Sequence, residues 1–76
     1  MDSVYDGIVK WFNNSIGYGF IHPVVNGETD ESVEYFVHYK NINMKGFKTL
    51  NDGQHVRFKI LNTDKGNQAV EVEISV

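Results

Sequence analysis

The chain has 76 residues, 41% hydrophobic and 22% charged, with one proline and a net charge of −3. That leaves room for a single small domain over residues 1–76, too apolar and too weakly charged to stay disordered. The absence of cysteine excludes a disulfide framework and a thiolate zinc site, and no apolar run approaches the roughly 20 residues of a membrane span. Seven Lys plus Arg against ten Asp plus Glu do not mark a nucleic-acid binder by charge alone. The excess is aromatic: five Phe, four Tyr and one Trp. Met1–Val4 is acidic and lacks the apolar stretch of a signal peptide, which with the missing cysteines sets the expectation of a cytoplasmic protein.

Five strands are predicted, over 4–13, 17–23, 34–39, 53–61 and 68–76. The first is rich in β-branched and aromatic residues and ends at Asn13-Asn14-Ser15, a tight turn. The second runs from Gly17-Tyr18-Gly19-Phe20-Ile21 to Pro23. A long acidic loop is expected over Val25 to Ser32, where Asn26-Gly27 is followed by Glu28, Asp30 and Glu31. Its carboxylates are expected to repel phosphates and to add little to the fold. The third strand holds Tyr35-Phe36-Val37-His38-Tyr39. A short 3₁₀ turn near 41–43 fits the long passage from Lys40 to Leu50. In the fourth strand Val56, Phe58 and Ile60 alternate with His55, Arg57 and Lys59. In the fifth, Val70, Val72, Ile74 and Val76 alternate with Glu71, Glu73 and Ser75, so both read as half-buried strands. Asp64-Lys65-Gly66-Asn67 joins the two. No sustained i, i+3, i+4 pattern indicates a helix. The fold class is all-β, a five-stranded antiparallel barrel.

The aromatic residues fall on the face opposite the core. Alternation puts Tyr18 and Phe20 on one side of the second strand and Ile21 on the other; it likewise separates Phe36 and His38 from Val37. The rings on neighbouring strands would then form one outward patch, suited to stacking bases. The competing assignment makes these rings the core, but the Val and Ile residues of opposite parity already supply one. Gly17 and Gly19 flank Tyr18 with no side chain of their own, a sign of another backbone or a ligand in close approach.

The series Gly7-Ile8-Val9-Lys10-Trp11-Phe12-Asn13, Gly17-Tyr18-Gly19-Phe20-Ile21, Tyr35-Phe36-Val37-His38, Gly46-Phe47-Lys48-Thr49-Leu50 with Gly53-Gln54, and Gly66-Asn67-Gln68-Ala69 closely resembles the bacterial cold-shock domain, in that order and over about residues 6–72. The resemblance implies a barrel of the oligonucleotide-binding (OB) type that binds single-stranded RNA or DNA. It implies a passive RNA chaperone with roles in transcription or translation control or in cold adaptation. Carried onto matching positions, it implies a stacking platform of Trp11, Tyr18, Phe20, Phe36, His38, Tyr39 and Phe47, with Phe12 at the rim. Lys10 and Lys65 would meet the backbone or base edges, and Asn13 and Gln68 would hydrogen-bond to bases. The chain departs from the family pattern in four places. Ile16 replaces a lysine, implying one lost phosphate contact. Lys40 stands where a serine is usual and can supply charge nearby, the loop 24–32 is longer, and Tyr35 fills an aliphatic position.

An enzyme is not expected. His22, His38 and His55 fall on different elements or faces, the serines lie in turns or at ends, and no nucleophile-elbow, phosphate-loop or zinc-helix spacing occurs. No cofactor, metal, membrane or small-molecule substrate is implied, and a monomer is expected. A small barrel with an aromatic groove that binds proline-rich peptide, like SH3 modules, is the alternative.

Overall fold

The computed structural model describes residues 3–46 and 48–75. β1 (Tyr5–Asn13), β2 (Tyr18–Val25), β4 (Tyr35–His38), β5 (His55–Thr63) and β6 (Gly66–Ile74) form the wall, and β3 (Glu28–Thr29) is a two-residue addition. The strands neighbour one another in the order β1-β5-β6-β4-β2, and β1 pairs again with β2, so the sheet closes on itself. This is the expected five-stranded barrel. Its seam is a short parallel pairing, Phe36 with Gln68 and Val37 with Ala69, between β4 and β6. The other strand pairs are antiparallel. Among the described residues no helix is long and apolar enough to cross a membrane.

The core is a single aliphatic cluster around one ring: Val9, Ile21, Val37, Ile42, Leu50, Val56, Phe58, Ala69 and Val72. Each large side chain fully withdrawn from water contributes about 1.5–3 kcal/mol. Phe58 is the largest of them and is fully buried. Tyr35 packs beside it at 5.5 Å between ring centroids and is half-buried. The tyrosine at this aliphatic position thus covers the margin of the core. Gly7 explains how so large a ring fits: a Cβ there would lie 2.7 Å from Phe58 Cε1 and 2.6 Å from Ile21 Cγ2.

Two irregularities correct the simple alternation read from the sequence. In β6 the core residues are Ala69 and Val72, three apart, while Val70 is half-buried and Ile74 is exposed. Glu71 between them has φ +49°, and the β5–β6 register shifts between Arg57 and Lys59. A bulge of this kind turns the following residues to the other face, so the Val70-Val72-Ile74 series does not point inward as a set; Val76, its last member, lies outside the described residues. In β1 the register shifts between Val9 and Trp11, which lets Val9 face the core and Trp11 face out although the two share parity.

The acidic segment is built rather than loose. β2 continues to Val25, and a hairpin through Asn26 (φ +53°) and Gly27 (φ +81°) brings β3 back along it. Positive φ at both central residues defines the type I′ turn that Asn-Gly favours. Beyond it, the Asp30 carboxylate accepts hydrogen bonds from the Ser32 amide and hydroxyl, and the Asp30 amide donates to the Pro23 carbonyl at 2.9 Å. The flap folds over His22, which is only 8% exposed and whose Nδ1–H donates to the Val33 carbonyl at 2.9 Å. The segment expected as a loop is therefore a hairpin followed by a turn fixed against the end of β2, with His22 beneath it. The 3₁₀ turn occupies Tyr39–Asn41, slightly ahead of its expected place.

Candidate nucleic-acid interface

The outer face of β1, β2 and β4 carries a continuous array of rings. Register sets it out in crosswise rows. One row runs Trp11, Phe20, Phe36 and on to Gln68; the next runs Asn13, Tyr18, His38. Trp11 lies 5.3 Å from Phe20 and 6.1 Å from Tyr18 between centroids. Phe36 lies 5.9 Å from Phe20 and 5.3 Å from Tyr18. His38 is 4.5 Å from Tyr39. Spacings of this size are those of mutually packed aromatic pairs. All of these rings except the exposed Tyr39 are half-buried, their edges held by neighbours while part of each ring meets solvent.

Gly19 makes the array possible. A Cβ at Gly19 would sit 2.1 Å from the Trp11 carbonyl oxygen and 2.7 Å from the Phe12 Cα. Only the bare backbone lets β1 cross this closely at its bulge. The close approach expected at Gly19 is thus that of another strand. Gly17 (φ +79°) serves differently: the Tyr39 ring lies against it, 2.9 Å from where a Cβ would stand, while the Tyr39 amide donates to the Gly17 carbonyl at 2.9 Å.

The polar residues are less uniform. His38 Nδ1 accepts from the Lys40 amide at 3.3 Å, which leaves Nε2 as the ring nitrogen open to a partner. Asn13 Oδ1 accepts from the amides of Ser15 and Ile16, so its oxygen holds the β1–β2 turn and only its NH₂ is left to offer. Gln68 borders Phe36 across the seam. Lys65 sits at the tip of the β5–β6 hairpin, three residues ahead of Gln68, rather than on the ring face. Lys10 projects from the bulge of β1 and its Nζ lies 2.8 Å from Glu34 Oε2. Phe12 packs against the core cluster and also lines a groove of about 510 Å³ with Asn14, Ile16, Tyr39 and Lys48. Phe47 lies outside the described residues.

Lys48 and Glu34 escaped the sequence reading. Lys48 lines the groove beside Ile16, where the family's lysine is missing; its place within Gly46-Phe47-Lys48-Thr49-Leu50 was the available signal. Glu34 stands directly before β4, and the pairing of β1 and β4 on either side of β2 brings it to Lys10.

A closed five-stranded barrel with an aliphatic interior and a ring-covered outer face is a small barrel of the OB type. The chain belongs to the cold-shock domain family: the family described as the 'Cold-shock' DNA-binding domain matches residues 5–75. The family is one of nucleic-acid-binding domains. The chain is 50% identical to the cold shock-like protein CspC of Buchnera aphidicola over 66 residues, covering 87% of this chain and 88% of that one. It is 42% identical to the major cold shock protein CspA of Pseudomonas aeruginosa over 74 residues, covering 97% and 99%. With the cold shock-like protein CspD of Escherichia coli K12 the identity is 47% over 75 residues, covering 92% and 95%. Among solved structures, Drosophila Unr CSD456 superposes with a TM-score of 0.74 at 15% identity, over 97% of this chain and 27% of that one, a likeness of fold.

Proposed function

We propose that this chain is a monomeric, cytoplasmic, non-enzymatic single domain that binds single-stranded RNA or DNA by stacking unpaired bases on Trp11, Tyr18, Phe20, Phe36 and His38. The observation that carries the reading is the unbroken ring array, with centroids 5.3–6.1 Å apart from Trp11 to Phe36, on the face opposite a complete aliphatic core. Tyr39 and Phe12 extend it toward the groove; Gln68, Asn13 and His38 Nε2 supply hydrogen bonds to base edges. Phe47 and Lys65 join the site through the family resemblance alone. Base stacking contributes about 1–3 kcal/mol per base and tolerates any sequence. With few cations on the face, stacking outweighs charge.

Such a surface acts on structured RNA without an energy source. It binds strands that have already opened and so shifts the population toward the unpaired form. Control of transcription or translation, and adaptation to cold, follow from that action on weak hairpins. A fluorescence titration tests the reading. Trp11 is the only tryptophan and lies within the array, so a short oligothymidine strand should quench its emission and a proline-rich peptide should not. Quenching by the peptide alone would assign the face to a peptide-binding module instead.

A further inference from the structure

The ring array stops at one end on an ion pair. Along β2 the rows run Tyr18, Phe20 and then His22, whose β1 partner in register is Ile8. At this third position no ring faces outward, because His22 is covered by the flap. Above it Lys10, from the bulge of β1, reaches across β2 to Glu34, the residue preceding β4, with Nζ and Oε2 2.8 Å apart. Both side chains remain accessible, 42% for Lys10 and 37% for Glu34. Past the pair opens a cleft of about 620 Å³, lined by Ile8, Lys10, His22, Thr29 and Glu31. The neighbouring carboxylate Asp30 is already engaged by Ser32. Glu34 is therefore the acid that occupies a cation of the binding face.

Resting on the stacking reading above, we propose that Glu34 is an affinity- and salt-setting residue: its carboxylate stands in for a nucleic-acid phosphate on Lys10. A strand crossing Phe20 and Phe36 must displace Glu34 before a phosphate can use that ammonium. Exchanging one anion for another on the same cation neutralises no additional net charge. The pair lowers affinity, flattens its dependence on salt, and limits the bound segment to bases lying on the two ring rows. Hydrogen bonding to Lys10 also holds the Glu34 carboxyl below its usual range, so it stays ionised and in place at neutral pH.

The test is oligothymidine binding by wild type, Glu34→Gln, Lys10→Gln and the double variant, followed by Trp11 fluorescence over a series of salt concentrations. Glu34→Gln is expected to bind about two- to fivefold more tightly at low salt, the range set by an exposed ion pair. Its log–log salt slope should steepen by about 0.7, the contribution of one further phosphate neutralised on a single strand. In the Lys10→Gln background the same change should give neither effect. Equal affinity and slope for wild type and Glu34→Gln would overturn the proposal. So would a gain that persists without Lys10, since Glu34 would then act by general repulsion. Failure of wild type and variants alike to bind would instead remove the stacking reading on which the inference rests, and the inference with it.

Discussion

Phe36 and Val37 are adjacent in β4 yet belong to different parts of the molecule. Val37 is fully buried in the aliphatic cluster, and Phe36 packs against Phe20 and Tyr18 on the outer face. Truncating each to alanine separates fold from function. Phe36→Ala should weaken oligonucleotide binding by about 1–3 kcal/mol and leave the melting temperature nearly unchanged, and Phe20→Ala and His38→Ala should behave alike. Val37→Ala should cost about 2 kcal/mol of stability through the cavity it opens, with little loss of affinity at temperatures where the protein stays folded. Thermal melts and titrations on the same samples check both halves. If Phe36→Ala unfolds the chain, the ring belongs to the core and the stacking face is wrongly placed.

At the scale of elements, much was legible because period-2 alternation is a direct image of which face a side chain takes. β2 and β4 are regular where they carry the rings, so Tyr18, Phe20, Phe36 and His38 could be placed from parity alone. Trp11 could not, since Val9 and Trp11 share parity and only the bulge at Lys10 separates them; there the family resemblance supplied what alternation could not. In β6 the bulge at Glu71 (φ +49°) misled the reading, because a non-glycine residue at positive φ leaves no mark in the hydrophobic pattern. The flap was read as a loop for another reason: a two-residue strand has no periodicity to detect, and nothing in the local pattern signals that Val33 accepts from His22. The flap also sets a pH dependence. The hydrogen bonds from Ser32 hold the Asp30 carboxyl below its usual range, and the bond from Lys10 does the same for Glu34. A lowered carboxyl pKa contributes stability that is present above the ordinary value and is lost as pH falls through the folded one. The flap should therefore stay closed at neutral pH and loosen below about pH 4. NMR shifts of the Ser32 amide and the His22 ring should report this before global unfolding; a flap unchanged until the whole barrel melts would count against it.

For the molecule as a whole, ring closure makes the five strands interdependent, but the joints differ in strength. β1 is held on both sides, by β2 over Gly7 to Asn13 and by β5 over Tyr5 to Ile8. β4 has four residues, and its joint to β6 consists of two parallel residue pairs. Fewer hydrogen bonds per joint mean a lower free energy of local opening. β4 is thus where the barrel breathes: its amides should exchange with deuterium faster than those in the middle of β1. Two of the five rings ride on that strand, since Phe36 and His38 belong to β4 while Trp11, Tyr18 and Phe20 belong to the better-held β1–β2 pair. A strand of bases spanning both sides would act as a staple across the joint. Bound oligothymidine should therefore slow exchange at Phe36 and Val37 more than in β5, although no base touches the buried valine, and part of the binding free energy would then be read out as rigidity at the far side of the sheet.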